Sequence, residues 1–280
     1  MAARTSPLRV ATVNVNGVRA AFRRGMGDWL AGRDVDILAL QEVRASTKDL
    51  EELLGPDWAI LHDASSAKGR AGVAIASREK AHIHRVAIGE EDFDTAGRWL
   101  EADYEVGGTI VTVVSAYVHS GEADTEKQVE KFRFLDAVES RLPELKAHSE
   151  LAVVMGDLNV GHRTLDIKNW KGNVKRAGFL PDERAYFDRF VGREDEDGYN
   201  DGAGLGWVDV TRKAAGEVAG PYTWWSWRGK AFDNDSGWRI DYQLATKALA
   251  DRVVAHAVDR APSYDTRFSD HTPVVVDYDV

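Results

Sequence analysis

Apolar positions along the chain fall into two kinds of run. Blocks rich in β-branched residues at 8–15, 35–40, 109–118 and 151–155 are apolar at nearly every position, the pattern of strands covered on both faces. Shorter strand patterns stand at 58–61, 72–76, 82–88 and 99–106, and again at 207–211, 222–227, 238–245, 253–258 and 272–278. Helical spacing marks 18–30, a short stretch near 182–190, and 124–148, where Val129, Phe132, Leu135, Ala137, Val138 and Leu142 form one stripe behind an N-cap at Asp124. Pro143 predicts a kink or an end in that helix. Both halves carry several strands and one or two helices, so two packed sheets with helices on their outer faces are expected, in one domain over residues 1–280.

Several of these strands finish in polar clusters: Asn14 with Asn16, Glu42, Tyr117 with His119 and Ser120, Asp157 with Asn159, Asp241, and Asp270 with His271. Strand ends of packed sheets project together at one edge, and an apolar strand that ends in a carboxylate or amide needs a partner for it. A bound cation is such a partner. Mg²⁺ takes one or two carboxylates, keeps several waters and relies on substrate phosphate, which suits Glu42 with a second Asp. Asp157 and Asn159 share one face of a strand, so one can handle a water while the other holds it. Asp270-His271 sets a carboxylate beside an imidazole, and an acid such as Asp241 would fix the ring tautomer. Imidazolium opposite a phosphate would stabilise developing negative charge. Each cluster alone reads equally as a turn or a strand end; their joint occurrence is the signal.

Composition narrows the chemistry. The 280 residues contain no Cys, which excludes a disulfide scaffold, a thiolate zinc site, an iron–sulfur cluster and thiol nucleophiles together. A formal net charge of -10 excludes a protein that coats nucleic acid through bulk positive charge, while a local basic track stays open. Such a track is expected at 162–176, where Arg163, Lys168, Lys171, Lys175 and Arg176 stand against Asp166. Residues 182–201 are strongly acidic and should face away from DNA, with the run Glu194 to Asp197 a solvated loop. No apolar run has the length of a signal peptide or a membrane span, so a cytoplasmic protein with no membrane partner is expected.

Taken in order, Thr12-Val13-Asn14-Val15-Asn16-Gly17-Val18-Arg19-Ala20, Leu40-Gln41-Glu42-Val43, Gly156-Asp157-Leu158-Asn159, Tyr222-Thr223-Trp224-Trp225, Trp238-Arg239-Ile240-Asp241-Tyr242 and Ser269-Asp270-His271-Thr272-Pro273 resemble the exonuclease III and apurinic/apyrimidinic endonuclease family, over nearly the whole chain. The resemblance implies a four-layer α/β sandwich of the DNase I type, two mixed β-sheets flanked by helices, with the site in the groove above them. It implies Mg²⁺, or Mn²⁺ in its place, bound by Glu42 with Asn14 and Asp270, and with Asp157, Asn159 and His271 close enough to contribute. Asp157 would orient or deprotonate the attacking water, helped by Asn159. His271, paired with Asp241, would contact the scissile phosphate, and Tyr117 would approach it from the other side. Asn16, Arg19, Ser120, the lysines and Arg176 of the basic track, Trp224, Trp238 and Ile240 would meet DNA, the last three as an apolar wall for a flipped-out sugar.

The implied reaction is hydrolysis of duplex DNA 5′ to an abasic site and trimming of 3′ ends, by a monomer. One departure stands out: the family places Pro and an amide residue after the site tyrosine, whereas this chain has Tyr117-Val118-His119-Ser120-Gly121. Ser120 keeps a hydrogen-bonding group there and His119 adds a titrating one. A lipid or inositol phosphodiesterase would be favoured by an exposed apolar hairpin or an export signal, and a silent DNA-binding relative by loss of a metal or water-handling residue; the chain displays none of these signs.

Overall fold

The structure, a computed structural model, describes residues 6–67, 69–192, 194–195, 198–199 and 204–280. In chain order its elements are β1 (Leu8–Asn14), α1 (Val18–Arg23), α2 (Met26–Arg33), β2 (Ile37–Gln41), α3 (Thr47–Leu54), β3 (Ala59–Asp63), β4 (Val73–Ser77), β5 (Ile83–Arg85) and α4 (Glu91–Asp94). Then come β6 (Trp99–Val106), β7 (Thr109–Tyr117), α5 (Glu126–His148), β8 (Leu151–Asp157), α6 (Pro181–Val191), and the two-residue pair β9 (Glu194–Asp195) and β10 (Gly198–Tyr199). The chain closes with β11 (Trp207–Asp209), α7 (Val210–Ala215), β12 (Asp241–Thr246), α8 (Lys247–Ala250), β13 (Val253–Val258) and β14 (Val274–Tyr278).

The long strands make two six-stranded mixed sheets, in the orders β13-β14-β1-β2-β4-β3 and β11-β12-β8-β7-β6-β5. Period-two alternation divides each central strand between two cores. On β1, Leu8 and Val10 point between the sheets toward Val111, Val113, Val153 and Met155, whereas Ala11 and Val13 point outward beneath Val18, Ala21, Met26 and Leu30. On the far side Val114, Ala152 and Val154 pack under Phe134, Leu135, Val138, Phe187 and Phe190 of α5 and α6. Helix, sheet, sheet, helix is the four-layer α/β sandwich expected. Among the described residues no helix is long and apolar enough to cross a membrane.

Register aligns the polar strand ends. Asn14 lies opposite Gln41 across the parallel pair β1–β2, Tyr117 opposite Asp157 across the parallel pair β7–β8, and Asp241 opposite Asp157 across the antiparallel pair β12–β8. Just below this edge a polar clamp spans the sheets: the Gln41 amide donates to Thr12 Oγ1 and Ser115 Oγ, each at 3.1 Å, and Ser115 Oγ donates to the Leu40 carbonyl.

Several expected elements differ. The helix expected at 18–30 is two helices, because Gly25 sits at φ 100 and turns the chain between them. Helix α3 adds to the expected elements, although its capping box of Ser46 and Asp49 is in the sequence. Asp124 is not the cap of α5: it lies at φ 62, Thr125 takes the extended N-cap position, and Val129 of the expected stripe is 51% exposed. The helix runs through Pro143 to His148, held on either side of the lost hydrogen bond by buried Leu142 and Leu145. The strand expected at 207–211 stops at Asp209, whose carboxylate accepts the Arg212 N–H and starts α7. Residues 222–227 form no sheet strand; Trp224 makes isolated bridges to Trp238 and His271, and the strand expected from 238 begins at Asp241.

Candidate active site

At the polar edge three of the side chains singled out above sit on left-handed backbone: Asn16 at φ 45, Glu42 at φ 50 and Asn159 at φ 50. Non-glycine residues hold that conformation at a cost and cluster where side-chain direction matters. Here each follows a strand end and turns its side chain over the sheet edge.

Asp157 ends β8 fully buried. Its Oδ1 accepts the Asn159 backbone N–H at 3.0 Å, and its Oδ2 accepts the amides of Asn14 at 2.8 Å and Asn159 at 3.0 Å. Burial, partly opposed by His271, pushes its carboxyl up to about 8. His271 Nδ1 faces both Asp241 oxygens, at 3.1 and 2.9 Å, and its Nε2 lies 3.7 Å from Asp157 Oδ2. Burial lowers the imidazole's affinity for a proton, but Asp241 and then Asp157 outweigh it and push His271 up to about 10. The ring is therefore an imidazolium at neutral pH, oriented by Asp241 and pointing its free edge toward Asp157.

A second chain of contacts runs along the first sheet. The Asn14 amide that holds Asp157 also donates to Glu42 Oε1 at 2.9 Å, its own oxygen accepts the Asn16 N–H, and the Asn16 amide donates to Asp270 Oδ1 at 2.9 Å. Asp270 Oδ2 accepts the Trp224 indole N–H at 3.2 Å. Burial raises the Asp270 carboxyl, yet His271, Asn16 and Trp224 together bring it below its usual value, so it is ionised. Arg44, absent from the expected site, pairs with Glu42 Oε2. Glu42 thus already holds positive charge at the spot where a cation was expected.

Of these groups Glu42, Asp157, Asn159, Asp270 and His271 line one cavity of about 320 Å³, together with Tyr117, Ser120, Gly121, Gly178, Trp224, Trp238 and Ile240. Burial, then the Glu42 and Asp157 carboxylates, push the Tyr117 phenol above its ordinary range, so it enters the cavity as a hydrogen-bond donor. Trp224 and Trp238 meet edge to face at 6.0 Å and 82°. Gly178 admits the second ring: at φ 91, a Cβ there would lie 2.8 Å from the Trp238 six-membered ring. Trp225, by contrast, is buried against Phe232. Ser120 is exposed at the cavity wall. His119 is not the titrating site group or solvated loop side chain the sequence suggested. It is buried, its Nδ1 faces the Arg98 guanidinium at 2.9 Å and its Nε2 the Lys127 carbonyl, and burial with Arg98 pushes it down to about 4.

The charged surface needs two corrections. Lys168, Lys171, Lys175 and Arg176 are exposed, but Arg163 is buried and fork-bonded to Glu217 at 2.7 Å, while Asp166 is buried under Arg212 and Arg239. The track therefore has four cations rather than five. In the acidic stretch, Glu183 is fully buried on Lys131, not turned to solvent. The run Glu194 to Asp197 lies outside the residues whose side chains are described. Arg19 stands on α1, 58% exposed at its side chain and 3.6 Å from Asp49, away from the cavity.

Asp157, Asp241 and His271 also form the one group among the described residues whose His and carboxylate ligand atoms could surround an ion, all lying within 4.8 Å of one another. With the imidazole protonated and both its nitrogens facing carboxylates, this trio already carries its own cation. Glu42 and Asp270, joined through Asn14 and Asn16, offer a second set of carboxylate oxygens, the donor type a hard divalent ion takes.

Residues 11–271 match the model of the Endonuclease/Exonuclease/phosphatase family. The exodeoxyribonuclease of Bacillus subtilis is 31% identical over 268 residues, which is 95% of this chain and 98% of that protein. Among solved structures, an AP endonuclease from Archaeoglobus fulgidus superposes with a TM-score of 0.80 at 30% identity, covering 98% of this chain and 100% of its own. A 3′-5′ exonuclease from Neisseria meningitidis does so with 0.81 at 26% identity, over 97% and 100%.

Proposed function

The chain belongs to the endonuclease/exonuclease/phosphatase family, and we propose that it is a divalent-metal-dependent DNA repair nuclease that cuts 5′ to abasic sites and trims 3′ ends. The observation that carries this reading is one cavity holding a buried carboxylate base, an imidazolium, two linked carboxylates and an indole wall.

Glu42 and Asp270 would hold Mg²⁺ or Mn²⁺. Such an ion, when bound, neutralises phosphate charge and polarises a phosphoryl oxygen. The chain's own groups then divide the work. Asp157, steadied by Asn14 and Asn159, accepts a proton from the attacking water; an affinity near the working pH suits a base that must also release it. His271 donates through Nε2 to the scissile phosphate while Asp241 holds the other nitrogen, and Tyr117 donates from the opposite side. Water adds to phosphorus and the P–O3′ bond breaks; the leaving O3′ takes a proton from solvent, so a 3′-hydroxyl stands on one side of the nick and a 5′-phosphate on the abasic side. Trp224, Trp238 and Ile240 form a wall on which a base-free sugar packs, a fit that favours an abasic site over an intact nucleotide. The exposed cations from Lys168 to Arg176 grip the duplex.

The test is incubation of the protein with labelled abasic and intact duplexes, with Mg²⁺, with Mn²⁺ and with EDTA. Incision 5′ to the abasic site with a 3′-hydroxyl product, dependent on added metal, is expected. Cleavage in EDTA at the full rate, or none under any condition, overturns the reading.

A further inference from the structure

A buried ion pair that the proposed mechanism leaves unused joins two walls of the cavity. Lys131 of α5 and Glu183 of α6 have fully buried side chains, 2.5 Å apart. An ion pair with no exposure is costly to bury and is weak evidence of stabilisation by itself. Here two of the remaining contacts reach residues that line the cavity, Asn159 and Gly178, while the one to Leu180 caps the start of α6. Lys131 Nζ also donates to the Asn159 carbonyl at 2.8 Å. Glu183 Oε2 accepts the backbone N–H groups of Gly178 at 2.6 Å and Leu180 at 3.0 Å, and its Oε1 accepts the Gln128 amide at 3.0 Å.

We propose that Lys131 and Glu183 are positioning residues for the proposed hydrolysis: one buried pair fixes the left-handed turn that aims Asn159 at Asp157 and the Gly178 segment that packs against the Trp238 ring. The inference rests on the reading given above and deepens it. Asn159 holds Asp157 through both its backbone N–H and its amide, so a shift of its peptide moves the proposed base. The 177–180 segment follows Lys175 and Arg176 directly, so the same carboxylate ties the DNA track to the site. Gly161 N–H donating to the Gly178 carbonyl at 2.8 Å closes the loop between the two walls.

Lys131→Met keeps the aliphatic stem but strands the Glu183 charge, so it lowers thermal stability along with rate. Lys131→Met/Glu183→Gln strands no charge. The amide oxygen introduced in place of the Glu183 carboxylate still accepts from Gly178 and Leu180. Gln128, whose Oε1 has no partner now, can turn its amide to receive the new donor. Melting temperature, kcat and KM on an abasic duplex with Mg²⁺, and amide hydrogen exchange over 157–161 and 177–180, are measured for wild type and both variants. The double variant is expected to recover most of the melting temperature. Its kcat stays down by about 10- to 100-fold with KM changed by less than about twofold, the scale of a misplaced reacting group. Exchange over 157–161 stays faster than in wild type. A double variant with wild-type kcat and wild-type exchange reduces the pair to a structural one and overturns the proposal. A wild-type protein without nuclease activity sinks the functional reading instead, and exchange over 157–161 still decides whether Lys131 fixes the Asn159 turn.

Discussion

Changing Lys168, Lys171, Lys175 and Arg176 together to Gln is the sharpest probe of how a protein of net charge -10 holds a polyanion. All four are exposed and none has an acidic partner among the described residues, so each is free to neutralise one phosphate; Lys171 rests on the Trp170 ring at 5.6 Å. Each contact releases counterions and adds about 0.9 to the slope of log affinity against log salt, so four contribute about 3.6. Between about 50 and about 200 mM salt, that slope alone is worth roughly 150-fold in affinity. The variant should lose most of this dependence. Fluorescence anisotropy with a labelled abasic duplex in EDTA, where cutting is blocked, gives the dissociation constant across the salt series. Arg163→Gln is the internal control: its guanidinium is committed to Glu217, so its loss should lower melting temperature and leave the slope alone. An unchanged slope in the fourfold variant, or a flattened one in Arg163→Gln, would refute the assignment of the track.

Asp157→Asn should keep DNA affinity while cutting turnover by about 100-fold or more, the scale of a lost positioned base; equal losses in binding, measured by anisotropy, would make it a ligand or a structural group. In EDTA, stability should fall as pH rises from about 7 to about 9, above the range in which the depressed histidine His119 works in the opposite direction. Asp157, raised to about 8, and His271, raised to about 10, both keep protons that the unfolded chain gives up, so each loses its contribution as pH climbs to its folded value. Calorimetry with saturating Mg²⁺ should show a shallower fall below about pH 8, and a melting temperature that rises with pH in EDTA over that window contradicts the assignment. Trp224→Ala should lower the ratio of abasic to intact duplex cleavage more than it lowers abasic cleavage itself; if the ratio holds, the ring is packing only.

The strands and most of the cavity are readable in the sequence because both follow local rules. Central strands are apolar on both faces, so Asp157 or Glu42 at a strand end stands out. What stays hidden is charge inside the protein. Lys131, Glu183, Arg239, Asp166 and Arg212 look like surface residues, since a lone Lys or Asp in an amphipathic pattern is ordinarily solvated. Only the fold brings Arg239 and Arg212 onto Asp166, at 2.8 and 2.6 Å, where they hold that carboxyl below its usual range in spite of burial. Arg163 reads as part of the track for the same reason, because a row of basic residues does not reveal which one finds an acid some fifty positions away. Residues 222–227 mislead through their aromatic content: three tryptophans suit a strand, but here the chain crosses the cavity, with Trp224 turned to it and Trp225 to the core. His119 reads as a group in water because no local pattern announces Arg98.

The contacts that assemble the site are also among the most distant in the chain: Asn14 to Asp157 spans 143 residues and Asn16 to Asp270 spans 254. During synthesis, a ribosome that has read as far as Asp157 has produced the proposed base and Glu42, but neither Asp241 nor the imidazole. On the proposed roles, neither sheet alone can cut DNA, because each supplies only part of the site. Cleavage competence on those roles requires both sheets closed on each other. The recovery of activity in a refolding experiment should then follow the docking of Asp270 and His271 rather than the formation of secondary structure.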